Sequence, residues 1–150
     1  MSISKLSCRD ALATMLLFIL ATSASAVEIG RIKVAKGQVT IERQGQSMPA
    51  MVGGRLQAAD IVRTGTDGSV GITMDDDSLL SAGANSELVL DRYAFDATTN
   101  QGRFDSSLNK GTLAVISGRI AKQAPDAMTV RTPKALLGVR GTEFVVSTND

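Results

Sequence analysis

After its first 26 positions the chain is dominated by alternation of apolar and polar residues. Ile32 and Val34 alternate with Arg31 and Lys33, and Val39 and Ile41 with Gln38, Thr40 and Glu42. Val70, Ile72 and Met74 alternate with Gly71 and Thr73, and Leu88 and Leu90 with Glu87 and Asp91. Thr129 and Arg131 flank Val130, and Phe144 to Val146 is a short apolar run. A period of two places every second side chain on one sheet face, so these runs predict strands. Tyr93 and Phe95 alternate onto one face and read as the edge of a core. Turn-forming clusters separate the runs: Gln44-Gly45-Gln46, Gly53-Gly54, Gly65 to Gly68, Ser81 to Asn85, Lys110-Gly111 and Ser117-Gly118. Their spacing of about 8–12 residues predicts an all-β sandwich, barrel or solenoid.

Helical periodicity is absent over long stretches. One short turn is predicted at Pro133 to Leu137, ended by Gly138. The polar stretch Asp96 to Ser107 reads as an extended loop with Ala97 and Phe104 as its few apolar groups, and Lys122 to Asp126 as a second loop. A glycine ahead of alternating residues recurs at Gly37, Gly68, Gly111 and Gly118. Stacked coils produce such an echo, as do ordinary hairpins. A single small β-solenoid-like or β-roll domain is the form taken forward.

The first 26 residues have a different pattern. Lys5 and Arg9 precede the apolar run Ala11 to Ala21, and Ala24-Ser25-Ala26 follows it. Charged, apolar and small-residue regions in that order mark a secretory signal peptide. Cleavage is expected after Ala26, leaving a domain over residues 27–150. The apolar run is too short for a membrane anchor, which needs roughly 20 residues. The one cysteine, Cys8, lies before that run rather than after it, so no lipidation site is expected.

Removal of this segment changes the composition. The full chain has 16 basic and 15 acidic residues, and loss of Lys5, Arg9 and Asp10 leaves the two balanced. A scattered, neutral charge pattern argues against a nucleic-acid partner. The mature domain has no cysteine, so it must fold without disulfides although its compartment permits them. Histidine is absent from the whole chain, which removes Ser-His-Asp and Cys-His nucleophilic systems and His-ligated zinc. No Gly-x-Ser-x-Gly elbow and no phosphate-binding loop occurs. Asp75-Asp76-Asp77 is the dense acidic cluster; it lacks EF-hand spacing and reads as a solvated turn, with cation binding as the open alternative. The expectation is a protein that is not an enzyme and uses no cofactor or metal.

Three segments resemble the FecR domain, a bacterial periplasmic domain first associated with iron-uptake signalling. Ala59-Asp60-Ile61-Val62-Arg63-Thr64-Gly65 is similar to its opening G-D-x-I-x-T-G segment. Gly68 to Ser86 resembles the strand, acidic turn and strand that follow. Val130 to Ala135, leading to Gly138-Val139-Arg140-Gly141-Thr142-Glu143-Phe144, resembles its most specific signature. The likeness is strongest over residues 57–147. It implies an all-β periplasmic domain. In full-length regulators of that family a cytoplasmic part holds a sigma factor, but this chain starts with a signal-like segment instead, so that role is not carried over.

The signature residues read as structural. Gly138 and Gly141 permit left-handed backbone around Val139-Arg140, and Pro133 extends Thr132. Glu143 is placed to pair with Arg140 or to reach other strands, and Phe144 belongs to the core. Two functions remain: a protein-interaction or envelope-signalling module with an unidentified periplasmic or envelope partner, and a cell-wall or glycan-binding module. Exposed backbone at the terminal strands favours the first. A concave face carrying several of Arg92, Tyr93, Asp96 and Arg103 favours the second.

Overall fold

The computed structural model describes residues 25–141 and 143–149. All but two residues of the expected signal peptide, including its apolar run, lie outside the described residues, as does Thr142 of the signature. The strands are β1 (Glu28–Lys36), β2 (Val39–Arg43), β3 (Gln46–Pro49), β4 (Arg55–Gln57), β5 (Ile61–Thr64), β6 (Ser69–Met74), β7 (Leu79–Ala82), β8 (Glu87–Phe95), β9 (Gly102–Ile116), β10 (Met128–Arg131), β11 (Leu136–Gly138) and β12 (Glu143–Thr148). One short helix, α1 (Arg119–Gln123), follows β9. The all-β expectation is met: 58% of the described residues are strand and 4% helix.

These strands form one curled sheet with two halves that share β9. In the first half, the residues from Gly102 to Lys110 pair with β8, and those from Phe104 to Ser107 pair also with β10. In the second half, the residues from Gly111 to Ile116 pair with β12, and those from Leu113 to Ile116 pair also with β7. Beyond β8 the first half continues through β5, β2 and β3; beyond β7 the second half continues through β6, β1 and β4. Every pairing is antiparallel except that of β9 with β10. Solenoid coils stack strands in parallel, so the glycine echo is that of hairpins and bends rather than of stacked coils.

Gly111 is where β9 passes from one half to the other. Inward residues before it are Phe104 and Leu108; those after it are Leu113 and Val115. Leu108 and Leu113 are five positions apart, so a regular strand would turn one of them outward. The φ of +90° at Gly111 breaks the alternation and lets both face the core. A Cβ there would stand 2.1 Å from Ser86 Oγ. That hydroxyl accepts a hydrogen bond from Thr112 N–H at 3.0 Å, which holds the bend against the loop before β8. Lys110-Gly111 thus does not form the expected turn: Gly111 takes its positive φ inside a continuous strand.

The same slip of phase recurs in β8. Leu88 and Leu90 face inward, as do Tyr93 and Phe95, and a bulge between Val89 and Arg92 makes up the odd spacing. Buried residues from both halves form one cluster that includes Ile32, Leu56, Val62, Leu80 and Val130. Phe104 is fully buried in it, because β9 begins at Gly102 and not after Ser107; the true loop spans only Asp96 to Gln101. Burial of a phenylalanine is worth about 1.5–3 kcal/mol, enough to draw a polar stretch into the sheet.

Helix placement also differs from the sequence expectation. Pro133 to Leu137 holds no helix; Thr132 N–H donates to Ala135 O at 2.8 Å and Thr132 Oγ1 accepts from Ala135 N–H at 3.0 Å, turning β10 into β11. Among the described residues the helical turn is at Arg119–Gln123, where the glycine echo suggested a strand. It buries Ile120 and Ala121, and a Cβ on Gly118 would collide with Asp76 O at 2.2 Å.

Three glycines separate these causes. Gly111→Ala combines left-handed backbone with a collision and is expected to cost more than about 2 kcal/mol. Gly141, at φ +59° in open space, should cost about 1–2 kcal/mol as Gly141→Val through backbone strain alone. Gly138 lies in β11 without positive φ and with nothing near its Cβ position, so Gly138→Ala should stay within about 0.5 kcal/mol. Urea unfolding midpoints rank the three.

Candidate functional site

Two outer faces of the sheet differ in chemistry, and a buried carboxylate fixes the strands that carry them. Asp76 is fully buried, between exposed Asp75 and Asp77. Its Oδ2 accepts from Ser78 Oγ at 2.8 Å and from Ile120 N–H at 3.2 Å. Its Oδ1 accepts from Tyr93 Oη at 3.2 Å and Ser78 N–H at 3.3 Å. Asp76 N–H in turn donates to Tyr93 Oη at 2.8 Å, and Asp76 O accepts from Arg119 N–H at 2.8 Å. The cluster is thus not a solvated turn. Its central member joins the β6–β7 hairpin, β8 and α1, and its carboxylate oxygens are taken up by those bonds.

Tyr93 is the phenol of that knot. Its ring meets Phe104 edge-on with centroids 5.3 Å apart. Burial, and then the adjacent Asp76 carboxylate, push its pKa far above the ordinary value. Arg119 closes the arrangement: its guanidinium lies 4.9 Å over the Phe95 ring and its Nε is 3.0 Å from the Asp77 carboxylate. A second buried carboxylate, Asp60, accepts from Arg43 Nε at 2.8 Å and Nη2 at 2.6 Å, and from Gln57 N–H at 2.8 Å. The hydrogen bond to Asp60 is the main reason that the Arg43 pKa is raised.

The outer face of the second half is apolar. Pairing sets Thr73, Leu79, Ile116 and Glu143 in one row across β6, β7, β9 and β12, and Gly71, Ser81, Ala114 and Val145 in the next. The small residues of the second row leave a groove of about 350 Å³ beside Leu79 and Ile116. Val34, Leu79, Ile116 and Val145 are all exposed, Val145 to 65%. At this end of the sheet β12 pairs with β9 alone among the described residues, so its outer backbone edge is open.

The outer face of the first half is charged. Arg63 joins Glu42 and Glu87 in ion pairs, and Asn109 donates to Glu87 at 2.9 Å. Hydrogen bonds from Asn109 and Arg63 hold the Glu87 carboxyl below its ordinary range. Each such exposed pair contributes about 0–1 kcal/mol, so this network sets the face's character more than its stability. Further along the same face, Asp91, Arg92, Arg103, Asp105, Thr129 and Arg131 surround a cleft of about 380 Å³. Of the four residues whose convergence would mark a glycan site, Arg92 and Arg103 meet here. Tyr93 points inward, and Asp96 caps its own loop by accepting from Thr98 N–H at 2.8 Å. The sequence signal for the cleft is the three-residue spacing from Leu90 to Tyr93, which betrays the bulge that turns both Asp91 and Arg92 outward.

The signature residues make the path from β10 to β12. Thr132 and Pro133 form the turn after β10, Gly138 ends β11, and Val139 is buried, with its N–H donating to Met128 O at 3.0 Å. Arg140 is exposed, Gly141 has the left-handed backbone expected of it, and Phe144 packs against the core from β12. Neither Arg140 nor Glu143 enters an ion pair among the described residues; Glu143 lies on the outer face opposite Ile116.

The described residues thus form a curled, largely antiparallel scaffold with buried polar knots and two contrasting outer faces. A family model described as FecR protein matches residues 60–150. The chain belongs to the FecR family, which is one of envelope signalling. No curated protein and no solved structure is matched. Among the described residues no helix is long and apolar enough to cross a membrane.

Tyr93 offers a direct check on the knot, since it is the only tyrosine in the chain. The unfolded chain ionises it near pH 10, whereas the folded one holds its proton. The stability gained from this difference is full below about pH 10 and falls as pH rises above it. Absorbance of tyrosinate should therefore rise together with loss of near-ultraviolet dichroism, as one transition. A free titration centred near pH 10 in the folded protein would contradict the geometry.

Proposed function

We propose that this chain is an exported, non-catalytic FecR domain that acts in the periplasm as a protein-interaction module of envelope signalling. The observation that carries this reading is the open edge of β12 beside the apolar outer face of the second half. An extended segment of a partner protein would add to β12 through backbone hydrogen bonds. Its alternate side chains would then continue the row of Ser81, Ala114 and Val145 or the row of Leu79, Ile116 and Glu143. Exposed edges of this kind invite pairing unless they are short, charged or covered. Here the edge has six residues and presents Val145 and Ser147 outward with Glu143 as its only charge.

Export supports the same reading. The tripartite start directs the chain across a membrane, and its removal leaves a domain without cysteine or histidine. Protein recovered from the periplasmic fraction should begin at Val27, as read by intact mass. A mass that retains residues 1–26 would refute cleavage.

Partner docking is tested by photo-crosslinking in cells. A photoreactive residue placed at Val145 or Ile116 should give one discrete protein adduct, while one placed at Arg63 on the opposite face should not. Val145→Lys, made together with the probe at Ile116, should abolish the adduct. Equal adducts at all three positions, or none, would overturn the docking reading.

A further inference from the structure

The charged cleft on the first half has features that the partner-docking reading does not use. Three arginines and two aspartates line it, leaving one net positive charge. Their states are unequal. Asp105 accepts from Arg103 Nε at 2.8 Å and from Thr129 Oγ1 at 2.7 Å. Burial alone would raise its pKa, but those hydrogen bonds and the charges of Arg103 and Arg92 outweigh it and hold the carboxyl below its ordinary range. Asp91 accepts from Ser107 Oγ at 2.6 Å. Arg103 and both carboxylates are thus engaged. Arg92 and Arg131 are exposed and form no ion pair or side-chain hydrogen bond among the described residues.

Two guanidiniums therefore stand available beside the Asp91 and Asp105 carboxylates and the Thr129 hydroxyl. A guanidinium meets a carboxylate through paired hydrogen bonds. The Asp91, Asp105 and Thr129 oxygens accept from hydroxyl groups, which a simple inorganic anion does not offer. The fixed carboxylates of Asp91 and Asp105 repel a compact dianion such as phosphate. Among the described residues no aromatic ring lines the cleft, since Tyr93 is turned into the core, so a neutral sugar would lack a stacking surface. Leu136 at the rim, 62% exposed, supplies an apolar flank for the C–H edge of a ring. Backbone position is rigid: the bulge before Arg92 and the parallel pairing of Asp105 with Thr129 fix both walls.

From this we infer that the cleft is a binding site for an acidic saccharide, with Arg92 and Arg131 gripping a sugar carboxylate while the Asp105 and Asp91 carboxylates and Thr129 take its hydroxyls. The site lies on the opposite face from β12 and does not depend on the partner-docking reading.

Calorimetry and amide chemical-shift mapping of residues 27–150 at low salt test it with three probes: a trisaccharide of galacturonic acid, a neutral trisaccharide of galactose, and inorganic phosphate. The acidic trisaccharide should bind and shift the amides of Ser106 and Thr129. Arg92→Gln and Arg131→Gln, both at exposed positions, should each weaken it about tenfold or more, as expected for loss of a charge-assisted hydrogen bond. Lys36→Gln, on the other half, should leave it unchanged. Added salt should weaken binding. Equal binding of the neutral trisaccharide would show a sugar site without acid recognition and overturn the inference. Equal binding of phosphate would reduce the cleft to a general anion patch, and no binding, or insensitivity to both arginine variants, would likewise overturn it.

Discussion

The whole sheet hangs on one strand serving both of its halves. β9 pairs with β8 and β10 along its first part and with β7 and β12 along its second. A strand can change partners in this way only if its pleat is reset, because otherwise its apolar side would leave the core on crossing over. Gly111 performs the reset at φ +90°, and Ser86 occupies the space where a side chain would be. From that constraint follow the curl of the sheet, the single core cluster and the orientation of both outer faces.

Buried carboxylates secure what the bend arranges. Asp76 ties the β6–β7 hairpin to Tyr93 and α1, and Asp60 ties β5 to Arg43 on β2. An unpaired buried carboxylate would be costly, so each is surrounded by donors. Both belong to segments that resemble the FecR pattern, and the family match begins at Asp60 itself. The pattern is thus a record of polar knots as much as of strands.

The contrast between the faces follows from the same geometry. One half turns small and apolar residues outward beside an open edge; the other turns arginines and aspartates outward around a cleft. The edge proposed for docking and the cleft proposed for a saccharide share no lining residue.

The strands were legible in the sequence because alternation of apolar residues is a local property of the pleat. So was the left-handed backbone at Gly141, and the FecR resemblance was carried by short contiguous motifs. The loop assigned to residues 96–107 was not, since Phe104 declares itself as core only when Tyr93 packs beside it. The helix was misplaced for a related reason: Ile120 is held by Asp76, 44 positions away. Asp75-Asp76-Asp77 looks uniform along the chain, yet the fold buries one carboxylate and exposes its neighbours. Local periodicity alone determined that this chain would be a β domain. Which residues meet in a knot or a cleft was decided by tertiary structure, because those contacts join positions far apart in the chain, and no local pattern encodes them.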